Sequence, residues 1–262
     1  MNTPLPEIPA VFLDWAGTTV DFGCLAPVAA LQSVLRRHGL DLPPEAVRQG
    51  MGLPKKEHLR LLLAGRPGAP DADALYPEVE TAIFAELERH TGLIDGTLEL
   101  ADWLYDRGTK LGTTTGYTAA MMEVVGPAAA RQGYIPESVV TPDGLPGGRP
   151  APYMIYANAL QLGVWPLWRC VKIGDTPSDI AEGRNAGCWT IGVAVAGNAL
   201  GLPLSALSAL APDERAARCV EARASLHQAG ANYVADSIAD VIPLLEEIEQ
   251  RNRAGELPTL AD

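Results

Sequence analysis

The chain has 262 residues, a formal net charge of −12, 47% hydrophobic residues and a mean hydropathy of +0.06. That length supports a sizeable core, as one domain with a large insertion or as two small domains, and the composition excludes a disordered or membrane-embedded chain. The acidity argues against a partner of duplex nucleic acid.

The apolar run Ile8–Leu13 predicts a buried first strand. Asp14 follows it and opens the loop Trp15-Ala16-Gly17-Thr18-Thr19-Val20-Asp21. Pro27–His38 predicts a helix stopped by Gly39. From Asp41 to about Gly96 the pattern is helical without a convincing strand, with apolar faces at Leu59, Leu61, Leu62, Leu63 and along Asp71–His90. Strand and helix then alternate: helix Thr97–Arg107, strand Lys110–Thr114, helix Thr118–Gln132, strand Ser138–Val140, helix Ala151–Leu162 and strand Cys170–Ile173. Helix Ser178–Ala186, strand Thr190–Val193, helix Asp213–Gln228, a short strand at Tyr233–Val234 and helix Ala239–Arg251 complete the series. Such alternation predicts an α/β fold, a Rossmann-like parallel sheet with helices on both faces. The helical stretch reads as an inserted cap over residues 23–96, within a core of residues 1–22 and 97–262.

No apolar run reaches the length of a membrane span, and Met1–Glu7 lacks the basic and apolar regions of a signal peptide. Cys24, Cys170, Cys188 and Cys219 form no CxxC pair, so neither a zinc site nor a disulfide framework is expected. A cytoplasmic protein fits these features.

Four loops after predicted strands carry polar residues. They hold Asp14 to Thr19, Thr114-Thr115-Gly116-Tyr117, the Gly- and Pro-rich stretch Pro142–Gly148 leading to Arg149, and Gly174-Asp175-Thr176-Pro177-Ser178-Asp179. Carboxylates from two strand ends suit Mg²⁺, which takes a few hard oxygens and keeps its waters. Hydroxyls, glycine amides and one fixed cation suit the oxygens of a phosphoryl group, and a carboxylate nucleophile would divide the transfer into two steps. Each residue alone has an ordinary reading. Asp14, Ser178 and Asp179 suit helix or loop caps, Thr115 a turn and Arg149 the surface; Lys55 and Lys56 suit a solvated helix start, and His58 a structural core. Their order and their placement after strands carry the signal.

The order Asp14, Thr115, Arg149 and Gly174-Asp175…Asp179 resembles the four motifs of the haloacid dehalogenase superfamily, with a helical cap inserted after the first. Within it, Phe12–Asp21, Met51–His58, Thr114–Thr118, Gly148-Arg149-Pro150 and Gly174–Gly187 are similar to the phosphonatase family, over nearly the whole chain. The resemblance implies that Asp14 is a nucleophile and Mg²⁺ ligand. The Ala16 carbonyl and Asp175 would be further ligands, and Asp179 would hold the metal's waters. Thr115 and Arg149 would bind the phosphoryl oxygens, and Gly116, Met51 and Gly52 would also bind the substrate. Lys55 would form a Schiff base with a small aldehyde-bearing phosphonate, with His58 and Tyr117 near the imine. Cys24 would stand beside the site without an assigned role, and the family suggests a homodimer with no nucleic-acid or membrane partner.

The residue two positions after Asp14 is where many aspartate phosphotransferases carry a second carboxylate to protonate the leaving oxygen, and here it is Ala16. Direct attack on a P–C bond would expel a carbanion, whereas a protonated imine accepts the electrons as an enamine. The amine must be neutral to react, so Lys55 needs burial or a nearby cation. Pro54 places Lys55 at a helix start, Lys56 should point elsewhere, and His58 at i+3 shares the Lys55 face, where a group titrating near neutrality would shuttle protons. A phosphate-monoester phosphatase or phosphomutase is the alternative, disfavoured by Ala16. A silent binding protein is disfavoured by the intact set Asp14, Thr115, Arg149, Asp175 and Asp179.

Overall fold

A computed structural model describes residues 6–258. Residues 1–5, most of the segment read for a signal peptide, therefore lie outside the described residues, as do residues 259–262. Six parallel strands form one sheet: β1 (Ala10–Leu13), β2 (Lys110–Thr114), β3 (Ser138–Val140), β4 (Val171–Gly174), β5 (Trp189–Val193) and β6 (Tyr233–Ala235), in the order β3-β2-β1-β4-β5-β6. β1, β4 and β5 are buried throughout, as expected for central strands covered on both faces. β1 starts at Ala10 rather than Ile8; Pro9 has no amide hydrogen and joins only as an acceptor, from the Lys110 N–H at 3.0 Å.

Between β1 and β2 lie five helices, α1 (Ala26–Arg37), α2 (Pro44–Arg48), α3 (Lys55–Leu63), α4 (Ala72–Leu87) and α5 (Thr97–Asp106). α4 is capped by Asp71, whose carboxylate accepts from the Asp73 and Ala74 amides, and its buried row Leu75, Val79, Ile83 and Leu87 recurs every fourth residue. That row packs against α1, which buries Leu31, Val34 and Leu35. α5 instead packs against β2.

The later helices are α6 (Ala119–Arg131), α7 (Tyr153–Leu162), α8 (Pro177–Ala186), α9 (Leu204–Ala209), α10 (Pro212–Gln228) and α11 (Ile242–Arg253). α9 has no counterpart in the sequence reading, because six residues are too few to show a helical period. α11 begins later than the expected Ala239, because a capping box between Ser237 and Asp240 closes a separate 3-10 turn over Ile238–Asp240. Among the described residues no helix is long and apolar enough to cross a membrane.

The strand order reverses at β1, which pairs with β2 on one side and β4 on the other. Ligands of open parallel sheets bind beyond the strands' carboxyl ends at such a switch point. The Asp14 amide continues the pairing by donating to the Ile173 carbonyl at 3.0 Å, which brings the end of β1 beside that of β4.

Candidate active site

Beyond those strand ends lies a small cavity. The core side contributes Asp14, Ala16, Thr115, Gly116, Tyr117, Arg149 and Asp175, and the helical insertion contributes Met51, Gly52 and Lys55, with Cys24 between. Residues more than one hundred positions apart, all expected at the site from the sequence, thus share one space.

Local backbone structure explains the placement. After β1 the chain turns tightly, with the amides of Thr18, Thr19 and Val20 all donating to the Trp15 carbonyl, so Asp14 stands at the head of a fixed loop. Asp175 follows β4, and the next residue, Thr176, caps α8 in a box with Asp179. The cap holds Asp179 one turn beneath Asp175. α3 begins at Lys55 with Pro54 as its N-cap, as the sequence predicts, and Lys55 is buried. The turn before it presses on β2's loop: a Cβ on Gly116 would lie 2.8 Å from the Leu53 carbonyl oxygen, so the backbones meet only where a side chain is missing.

The polar centre is a buried charge network. Arg149 donates through Nη2 to Asp14 Oδ1 at 2.7 Å and to the Thr114 carbonyl at 2.8 Å, and through Nε to Glu182 Oε2 at 3.0 Å. Its Nη1 pairs with Asp179 Oδ1 at 2.9 Å. Lys172, on β4, pairs with the same Asp179 oxygen at 2.8 Å and donates to Thr114 Oγ1 at 3.0 Å. Burial alone would raise the Asp179 carboxyl, but Arg149 and Lys172 hold it below the ordinary range. Arg149 is therefore as much the scaffold of Asp14 and Asp179 as a free phosphoryl ligand.

Asp14, Asp175 and Asp179 bring carboxylate oxygens within 4.8 Å of one another. Burial, reinforced by repulsion from Asp14 and Asp179, pushes the Asp175 carboxyl well above its usual range. Burial likewise raises Asp14 despite Arg149. Asp175 Oδ1 is buried without a hydrogen-bond partner. Four buried carboxylates, Glu182 included, outnumber the two buried cations of this network, Arg149 and Lys172. Hard oxygen donors with such an excess fit a divalent cation.

In the same cavity, Lys55 Nζ lies 3.8 Å from Met51 Sδ and 5.1 Å from the centre of the Tyr117 ring. Burial lowers its pKa and Arg149 acts in the same direction, against Cys24, Asp14 and Asp175, which shifts Lys55 towards the reactive neutral amine. Burial also raises Tyr117 and Cys24 well above their ordinary values, so both remain protonated. Thr115 Oγ accepts from the Tyr117 amide at 3.1 Å, and Lys56 points away to pair with Asp73 at 2.9 Å.

His58 departs from expectation. It does not titrate near neutrality: burial and the charge of Lys55 lower it to about 4. Its Nε2–H donates to the Val47 carbonyl at 2.7 Å, which works against that lowering but fixes which nitrogen carries the proton, and His58 does not line the cavity. The i+3 spacing sets its face of α3, but burial against α2, where Val47 holds the ring, keeps it from titrating near neutrality. Sequence reasoning also misses Lys172 and Glu182. Their signals were a lone lysine within an apolar strand and a carboxylate three residues after Asp179 on the same face of α8.

A family model for haloacid dehalogenase-like hydrolases matches residues 8–187. Phosphonoacetaldehyde hydrolase from Nitratidesulfovibrio vulgaris is 44% identical, with 95% of this chain and 94% of the relative covered. The chain belongs to the phosphonoacetaldehyde hydrolase family. Another member of that family, from Bacillus cereus, is 40% identical over 94% of this chain and 98% of its own length. The crystal structure of a phosphonoacetaldehyde hydrolase-like protein from Oleispira antarctica superposes with a TM-score of 0.92 at 35% identity, covering 98% of this chain and 99% of that one. Membership makes the chain a hydrolase.

Proposed function

We propose that the protein hydrolyses the P–C bond of phosphonoacetaldehyde to acetaldehyde and phosphate. The observation that carries this reading is a buried Lys55 that lines the same small cavity as Asp14, with Ala16 where a general acid would stand. Family membership supports the same substrate. Residues 23–96 act as a cap that delivers Lys55 to a core of residues 1–22 and 97–262.

The Lys55 amine adds to the aldehyde and water leaves, giving a protonated imine. Asp14 attacks phosphorus; the P–C bond breaks and its electrons enter the imine as an enamine. Protonation of the enamine carbon and addition of water release acetaldehyde and regenerate Lys55. A second water cleaves the aspartyl-phosphate, so the net reaction consumes one water. Arg149 and Thr115 orient the phosphoryl oxygens, Gly116 leaves them room, and Tyr117, Met51 and Gly52 enclose the aldehyde end. Asp14, Asp175 and the Ala16 carbonyl would hold Mg²⁺, with Asp179 beneath them; the ion would supply positive charge against the phosphoryl oxygens and the carboxylate cluster. We further propose a homodimer in the cytoplasm, supported by the family resemblance and by the exposed apolar group Tyr153, Tyr156, Leu160, Trp165 and Trp168.

The test is product formation. Phosphonoacetaldehyde should yield acetaldehyde and phosphate in equal amounts, while a phosphate monoester of similar size should be turned over far more slowly. Turnover of the monoester alone would replace this reading with the phosphatase alternative.

A further inference from the structure

We propose that Arg48 is a positioning residue that ties the lysine-bearing side of the site to Asp175. The proposal rests on the reading above, in which Asp175 holds the metal. Arg48 ends α2, within the helical insertion, and belongs to none of the sequence motifs. Its guanidinium nevertheless spans two other segments. Nη1 donates to the carbonyls of Gly23 and Cys24 at 3.0 and 3.3 Å and to Asn198 Oδ1 at 3.0 Å, and Nη2 donates to the Gly201 carbonyl at 2.8 Å. Gly23 and Cys24 continue the Asp14 loop, and Asn198 and Gly201 belong to the loop after β5.

From Asn198 the path reaches the metal-binding carboxylates in one step: its backbone N–H donates to Asp175 Oδ2 at 2.7 Å. In the other direction, the Arg48 carbonyl accepts from Asn198 Nδ2 at 3.3 Å and from the Met51 amide at 3.1 Å. Met51 is the residue whose sulfur touches Lys55. One residue thus fixes both the turn before the Lys55 helix and the loop that orients Asp175.

Every one of these acceptors on Arg48 is a neutral oxygen, so the contact is a geometric joint rather than a salt bridge. The task needs a planar fork with several fixed donors, which a lysine ammonium does not provide. The opposing loop is shaped to receive it: a Cβ on Gly201 would stand 2.4 Å from Arg48 Nε.

The experiment is calorimetric titration of the substrate-free protein with Mg²⁺, for wild type, Arg48→Lys, Arg48→Met, Asn198→Ala and the Arg48→Met/Asn198→Ala pair, each checked for folding by circular dichroism. Loss of an outer partner of a metal ligand costs roughly tenfold or more in affinity, so Arg48→Met and Asn198→Ala should each bind Mg²⁺ about tenfold more weakly. Arg48→Lys should not rescue, and the double variant should be little worse than either single one, since all break one chain of contacts. Should Arg48→Met fail to fold, Asn198→Ala and Arg48→Lys carry the test. Wild-type affinity in the folded variants would overturn this inference and leave the proposed function standing. Absence of Mg²⁺ binding by the wild type would overturn the metal assignment and this inference together.

Discussion

Lys172→Met probes the buried charge network most sharply, because the variant keeps the side-chain stem and removes only the charge. Lys172 is fully buried and pairs with Asp179 at 2.8 Å and Glu182 at 3.6 Å. Removing one partner of a buried ion pair typically costs about 3–5 kcal/mol, since the remaining charge stays desolvated. Arg149 still contacts both carboxylates, at 2.9 and 3.0 Å, which places the expected loss at the lower end, about 3 kcal/mol. For a chain of this size each kcal/mol moves Tm by roughly 2–4 °C, so thermal unfolding should shift down by about 6–12 °C. A companion Lys172→Met/Glu182→Gln variant should recover part of that loss, because it removes one of the stranded negative charges. The assay is circular dichroism melting in chelator, where no added cation compensates the cluster. A Tm within about 2 °C of wild type, or a double variant whose loss is the sum of the two single losses, would refute the reasoning.

Three further predictions concern pH, geometry and metal. Because His58 is held at about 4 against an unfolded value of 6.5, the unfolded chain binds the extra proton first; its contribution to stability is complete above pH 6.5 and declines as pH falls towards 4. That shift corresponds to about 3 kcal/mol, so His58→Gln should flatten the Tm profile between those pH values, and an unchanged slope would contradict the assignment. Gly17 has φ +83°, and a Cβ there would stand 2.1 Å from Asp175 Oδ2, so Gly17→Ala should weaken Mg²⁺ binding by at least about tenfold in calorimetry; wild-type binding would show that the loop yields. Chelator should abolish turnover and added Mg²⁺ restore it, whereas full activity in chelator would remove the metal from the account.

How much was legible follows from the range over which each interaction acts. The strand series is written locally, in short apolar runs separated by glycine, proline and capping residues, so β2 and β3 coincide with their predicted bounds. Asp14, Thr115 and Asp175 are legible because each directly follows a strand, and parallel order then brings the strand ends together without further information. The start of α3 at Lys55 is dictated by Pro54. Lys172 and Arg48 are illegible for the opposite reason. Their meaning lies in partners such as Thr114 and Asn198, separated by 58 and 150 positions, and a single chain carries no local trace of such pairings. His58 shows the intermediate case. Helical spacing sets its face, but burial beside Lys55 decides its protonation and Val47, on another helix, decides where its ring is held.

The central claim is that Lys55 carries the substrate as an imine while Asp14 attacks phosphorus. It is tested most directly by incubating the enzyme with phosphonoacetaldehyde, reducing with borohydride and locating the modified peptide by mass spectrometry. The account predicts one reduced adduct, on Lys55, together with loss of activity, and neither adduct nor turnover in a folded Lys55→Arg variant, because a guanidinium forms no such imine. Acetaldehyde release without labelling of Lys55, or undiminished turnover by Lys55→Arg, would contradict it.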